Sequence, residues 1–293
     1  MTPPFAGWIT ACVPHYRCHR YIRRAVESLL TQTYPWVRVI VVNDGDPYPP
    51  WRELAHIRDP RLVRFSMKKN RGPYFCTELA RRATPDPYFL IQDADDWAAP
   101  RRAELLLDNL LNNDSDFSFS AQPHFYETNY GVPYHVSVWW GARVARFIAK
   151  QSIDETYIYR APHHGLYRTS ALDNLGGYYG GFRIGWDTLL TNLILMIGSI
   201  SWTPELLYYR FLRSDSLTHS QRTGAHSAYS ASVRKCLRQI YRDCYEHYRL
   251  RRQEKINANQ LCGAIRYISG RYVPLEHRHE LEFHASRLCG MMA

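Results

Sequence analysis

The chain has 293 residues, 45% hydrophobic and 14% aromatic, with a formal net charge of +10, so it can pack a core for one large α/β domain, with or without a smaller appendage, and global disorder is excluded. Seven cysteines with no CxxC pair fit neither a disulfide framework nor a zinc site, and the N-terminal stretch has no signal-peptide pattern, while the longest apolar candidate, residues 188–202, is interrupted by Thr191 and Asn192. The expectation is a soluble cytoplasmic protein whose positive charge asks for an anionic partner, which nucleic acid, an anionic membrane surface or a phosphorylated substrate would each satisfy.

Residues 8–13 read as a short apolar strand ending at Pro14. From Tyr21 the pattern turns helical, with Ile22, Ala25, Val26, Leu29 and Leu30 on one face until Thr33, Tyr34 and Pro35 stop it. Residues 37–42 (VRVIVV) form a continuous buried strand that ends at Asn43, Asp44 and Gly45. This βαβ unit puts 14–17 and 43–46 on the same edge of a parallel sheet, the carboxyl edge where open α/β sheets bind ligands. A short helix over 51–57, a strand over 62–66, the turn Lys69-Asn70-Arg71-Gly72-Pro73, a helix to Ala83 and a strand over 88–92 continue the alternation.

The fourth strand ends in QDADDWAAP, which sets Asp93, Asp95 and Asp96 within four residues. Carboxylates this close repel one another, and a divalent cation relieves that repulsion. A solvated acidic turn that caps the helix opening at Pro100 explains the same residues. Asp44, Arg71 and Asp93 each follow a strand and are expected to converge on one cleft. The helix after Pro100 carries Leu105, Leu106, Leu110 and Leu111 as its expected buried stripe, and 117–121 is the next strand. From 122 to 160 the periodicity weakens, and Trp139-Trp140 with the surrounding tyrosines suit an acceptor pocket or plain packing. Thr169 or Ser170 is expected to cap the short helix SALDNL, which Gly176 and Gly177 end. Trp186-Asp187 then opens the apolar helix TLLTNLILMI, where Asp187 would serve as an N-cap on local grounds alone. Strands are expected over 199–203 and 206–210, and two or three helices follow a boundary near residue 220. The run RKCLRQIYRDCYEHYRLRRQEK reads as an amphipathic helix with a solvated basic face.

Taken together, VPHYRCHRYIRRAVESLLTQTYPWVRVIVVNDG, NRG, QDADDWAAP, GGYYGGFRIGWDTLLTNLIL and LLYYRFLRSDSLTHS, in this order and spacing, resemble the GT-A fold family 2 glycosyltransferases over about residues 7–220. The resemblance implies a Rossmann-like α/β domain at 1–220, with a mostly parallel sheet flanked by helices, and a helical C-terminal extension at 221–293. It implies transfer of a sugar, with inversion, from a nucleoside-diphosphate donor, UDP- or dTDP-linked, to a small-molecule, glycan or peptide acceptor, without nucleic acid as a partner. Pro14 and Tyr16 would meet the nucleotide base, Asp44 would accept from the base or ribose, and Arg71 would meet base or diphosphate. Asp93 would contact the ribose, and Asp95, with Asp96 in support, would hold Mn²⁺ or Mg²⁺, which His219 would complete. Asp187 matches the general base, although Trp186 stands where the family carries a glutamate. The alternative is a GT-A-like binding module, altered at that pair, whose basic C-terminal region binds an anionic partner.

Overall fold

The computed structural model describes residues 5–127, 133–138, 153–158, 160–213, 216–217, 220–224 and 226–292; Trp139, Trp140 and His219 lie outside these. Strand β1 (Ile9–His15) pairs in parallel with β2 (Val37–Asp44), and β2 with β3 (Leu62–Met67). Helix α1 (His19–Leu30) makes the first crossover and buries Ile22, Ala25, Val26 and Leu29, the predicted face. On the other side of β1 lies β4 (Tyr88–Ile91), also parallel. Beyond it come β6 (Phe117–Ala121), β9 (Gly165–Arg168) and β10 (Ile200–Leu206), giving a seven-stranded sheet of order β10-β6-β9-β4-β1-β2-β3. Only β9 runs antiparallel to its neighbours, so the sheet is mostly parallel as expected. A second sheet of order β5-β11-β7-β8 joins β5 (Trp97–Ala98), β11 (Tyr208–Leu212), β7 (Pro123–Glu127) and β8 (Pro133–Val138).

Strand alternation sorts the core into two layers. Ile9, Ala11 and Val13 of β1 and Val37, Val39 and Val41 of β2 face α1 and α3 (Arg102–Asn112). Cys12, Ile40 and Val42 face the opposite way, toward α2 (Pro73–Arg82) and α5 (Trp186–Ile197), which follows α4 (Thr169–Leu175). That second layer runs without a break into α6 (Ala228–Arg252), α7 (Ala258–Gly270) and α8 (Leu275–Gly290), through Val233, Leu237, Ile240, Leu261, Ile265, Leu281 and Leu288. Among the described residues, three helices thus follow residue 220. Helix α6 leaves Lys235, Arg238, Arg242, Arg249, Arg251 and Arg252 exposed, the solvated basic face anticipated from its sequence.

Four local expectations are corrected. Residues 51–57 form successive i→i+3 turns, Ala55 to Arg52 and Ile57 to Leu54, and no helix; two prolines precede them and Pro60 follows, leaving no room for a nucleus. Helix α3 buries Ala103, Leu106, Leu107 and Leu110, and Leu111 is exposed, because the adjacent leucines at 105–107 and 110–111 fit two registers and packing against the sheet selects one. Helix α4 has no side-chain cap, and Thr169 Oγ1 instead donates to the Asp86 carbonyl. Gly185, in the left-handed region, precedes α5, so Asp187 sits inside the first turn and is not its N-cap. The predicted stop at Gly176 holds: it adopts φ +90° as the αL C-cap.

Candidate active site

The carboxyl ends of β1, β2 and β4 form one edge of the sheet. Tyr16 lies just past β1 and is 39% exposed, with the Arg17 guanidinium 5.2 Å from its ring centre; Pro14, partly buried, pairs in register with Val42. Asp44 is buried, and its two oxygens accept from the backbone N–H groups of Arg71 (2.6 Å) and Gly72 (2.8 Å). Burial pushes its pKa up to about 6 against the pull of those two donors. Asp44 therefore fastens the NRG turn to the end of β2. Gly45 makes that approach possible: its φ is +69°, and a Cβ there would fall 2.5 Å from the Asn70 nitrogen and the Lys69 carbonyl carbon. The Arg71 side chain turns toward α8, where it donates to Glu280 (2.8 Å) and faces Glu276 at 3.7 Å.

Past β4, the three carboxylates take different partners. Asp93 is 43% exposed at its side chain and lies 3.0 Å from His164 Nε2. Asp95 accepts from Arg213 Nε at 2.8 Å, and its carbonyl accepts from Arg24 at 2.9 Å. Asp96 is buried, with one oxygen on the Phe211 N–H (2.6 Å) and the other on the Tyr208 hydroxyl, so β11 is built onto it. Beneath them Arg102, fully buried, donates to Gln92 and to the Ile91 carbonyl and lies 4.4 Å from the Tyr208 ring centre. Burial raises the pKa of all three carboxyls, and the neighbouring aspartates add to it at Asp95 and Asp96. One ligand atom from each of Asp93, Asp96 and His164 lies within 4.8 Å of the others. His164 Nδ1 is buried without a hydrogen-bond partner. Crowded carboxylates and an orphaned imidazole nitrogen fit a divalent cation.

Asp187 stands across from this loop. Its carboxylate accepts from the Thr188 N–H (2.8 Å) and the Tyr74 hydroxyl and lies 3.0 Å from His163 Nε2, with 14% of its side chain exposed. Burial alone would raise its pKa, but the charge of His163 outweighs this and holds the carboxyl well below the usual range. At His163 burial favours the neutral ring and Asp187 reverses that, so its pKa is raised. At the adjacent His164, burial and the charges on His163 and Arg210 drive the pKa well down even with Asp93 3.0 Å away. Two consecutive histidines, ring centres 4.0 Å apart, thereby have their pKa values moved in opposite directions and join the Asp187 side of the site to the Asp93 side.

Of Asp44, Arg71 and Asp93, expected on one cleft, hydrogen bonds join Asp44 to the Arg71 backbone, while Asp93 is joined to His164. Tyr74, Arg102, Tyr208 and Arg213 escaped sequence reading because each arrives from an element distant in the chain. The doublet His163-His164 directly before a strand was the one legible signal.

A mostly parallel sheet with a carboxylate loop at the end of its fourth strand and a second sheet folded over that loop defines a GT-A-type α/β domain. The chain belongs to glycosyl transferase family 2, whose profile, described as "Glycosyl transferase family 2", matches residues 10–176. Glycosyltransferase GlyA of Streptococcus pneumoniae serotype 4 is 22% identical over 221 residues, 72% of this chain and 31% of its own length. Chondroitin synthase of Escherichia coli is 35% identical over 101 residues, 34% of this chain and 15% of its own. The chain thus spans well under half of these relatives. Among solved structures, S. aureus TarS 1-349 in complex with UDP superposes with a TM-score of 0.56 at 16% identity, covering 97% of this chain and 88% of TarS. Mannosyltransferase PcManGT from Pyrobaculum calidifontis, in complex with GDP-Man and Mn²⁺, gives 0.53 at 16%, covering 97% and 74%. Both share the fold. None of the described helices is long and apolar enough to cross a membrane.

Proposed function

We propose that the domain transfers a sugar from a nucleoside diphosphate to an acceptor hydroxyl with inversion, using Asp187 as the general base. The observation that carries this reading is the His163-His164 doublet, which ties Asp187 to the carboxylate loop in a chain of family 2. A base must be ionised before it can take a proton, and His163 keeps Asp187 so. With no second carboxylate nominated as nucleophile, the acceptor oxygen attacks the anomeric carbon as the bond to the diphosphate breaks, and its proton passes to Asp187. Asp93, Asp96 and His164 would hold a divalent cation such as Mn²⁺ or Mg²⁺, which when bound neutralises the charge gathering on the leaving diphosphate. Asp44 is assigned to positioning, since both oxygens hold the NRG turn, and Tyr16 offers an exposed ring for the base at the same sheet edge. Two solved structures that share the fold are complexes with UDP and with GDP-Man and Mn²⁺, which makes uridine and guanosine diphosphate sugars the first donors to screen.

The test is a thermal-shift screen of nucleoside-diphosphate sugars with and without Mn²⁺, followed by assay of nucleoside diphosphate release. A donor at a hundred times its dissociation constant stabilises the fold by about 2.7 kcal/mol. Asp93→Asn should abolish the metal-dependent part of that shift. Equal shifts with and without Mn²⁺, or an unchanged response in Asp93→Asn, would sink the metal assignment.

A further inference from the structure

A second cluster of metal-ligand type lies at the same sheet edge, outside the residues assigned above. His15 ends β1, His19 opens α1, and Asp46 follows β2; one ligand atom from each lies within 4.8 Å of the others. Arg17, at φ +56°, reverses the intervening loop, and its N–H donates to Asp46 Oδ2 at 2.8 Å. The rings of His15 and His19 stand edge to face, 4.6 Å between centres.

The independent observation is His15 Nε2. His15 has no exposed surface, and this nitrogen is buried with no hydrogen-bond partner. The other ring nitrogen lies 3.5 Å from Asn43 Oδ1, and Asn43 spends its amide N–H on the Asp46 carbonyl at 3.0 Å, which fixes the oxygen toward the ring. Nδ1 therefore carries the proton and Nε2 the lone pair. Burial and the neighbouring His19 lower the His15 pKa to about 4, so the ring is neutral at physiological pH. A buried lone pair with no donor is costly unless something completes it. Metal-ligating histidines have their tautomer fixed by an outer-shell acceptor on the second ring nitrogen, the part that Asn43 Oδ1 plays for His15. Asp46 accepts one N–H on each oxygen, from Arg17 and from Tyr48 (3.0 Å), and each oxygen keeps a further lone pair.

We propose that His15, His19 and Asp46 bind a transition-metal ion of the Zn²⁺ type, leaving one position open, and that the ion clamps the β1–α1 loop to the loop after β2. Two imidazoles and one carboxylate select Zn²⁺, Co²⁺ or Ni²⁺ over Mg²⁺, which prefers oxygen alone. The site is therefore distinct in chemistry from the oxygen-rich loop at Asp93. Because the clamped loops carry Tyr16 and follow directly on Asp44, occupancy would stiffen that sheet edge whether or not the domain transfers a sugar.

The test is equilibrium dialysis of the full chain against Zn²⁺ with excess Mg²⁺ to fill the Asp93 loop, with the visible spectrum of the Co²⁺ form as a second readout. About one equivalent of Zn²⁺ should bind and raise the melting temperature. His19→Ala should weaken binding by at least about tenfold, and Asp93→Asn should leave it unchanged. His19→Gln, which keeps a donor for the Tyr48 carbonyl that His19 contacts, serves if the alanine variant fails to fold. Zinc bound equally by wild type and the His19 variants, or lost in Asp93→Asn instead, would overturn the site.

Discussion

Asp187→Asn is the sharpest perturbation of the proposed chemistry, because the amide keeps the shape and removes only the base. Its Oδ1 still accepts from Thr188 N–H, the 2.8 Å contact that seats the side chain in the first turn of α5. His163 loses the anion 3.0 Å away that raises its pKa. Burial then favours the neutral ring, whose Nε2 accepts from the new amide. One buried ion pair becomes one neutral hydrogen bond, and because the uncharged ring leaves no unpaired charge behind, the cost of about 3–5 kcal/mol for breaking a buried pair is avoided and the melting temperature should fall little. Loss of the general base should cost turnover about 10²–10⁴-fold, equivalent to about 3–5 kcal/mol of barrier. The assay is single-turnover release of nucleoside diphosphate from a donor identified by thermal shift, with donor affinity measured beside it. Turnover within about tenfold of wild type would refute the base assignment. A collapse in melting temperature would show instead that Asp187 is a structural anchor.

His163→Gln should move the acid limb of the pH–rate profile to higher pH. His163 is what holds the Asp187 carboxyl low against burial, and a carboxylate base is lost as pH falls through its pKa; an unmoved limb would separate the two residues. Glu280→Ala should release the Arg71 guanidinium from α8, at a cost of about 1–3 kcal/mol in urea unfolding, and no loss at all would mean that α8 is held by its apolar face alone. Glu78, buried on Arg81, Arg82 and the Tyr178 N–H, tests acid stability. Burial raises its pKa, but the two arginines outweigh this and lower it below 4.5; its contribution is present above that value and lost as pH falls through the lowered pKa. Glu78→Gln should therefore cost about 3–5 kcal/mol at pH 7, and the gap to wild type should close in acid; a gap constant with pH would show that the charge does not matter.

Much of the scaffold was legible because its signals are local. VRVIVV reads as a doubly covered strand, the spacing of Ile22, Ala25, Val26 and Leu29 reads as one helix face, and both lie where periodicity puts them. The failures share a cause: over 51–57 and along α3 more than one local arrangement satisfies the pattern, and packing chooses. The site divides the same way. Asp44, Asp93, Asp95, Asp96 and Asp187 announce themselves by type and by position after strands or before a helix, but nothing local says which oxygen is already spoken for.

What the sequence determined by itself is the alternation of β1, α1, β2, β3, α2 and β4, the carboxyl edge on which polar residues gather, and the resemblance that leads to family 2. Tertiary structure alone decided the division of labour among the carboxylates. Asp44 is consumed by the turn 27 residues away, Asp96 by β11 more than a hundred residues on, and Asp187 is charged by a histidine 24 residues earlier. Hydrogen bonding and burial fix a carboxylate's protonation and free lone pairs, and both depend on neighbours that chain spacing does not reveal.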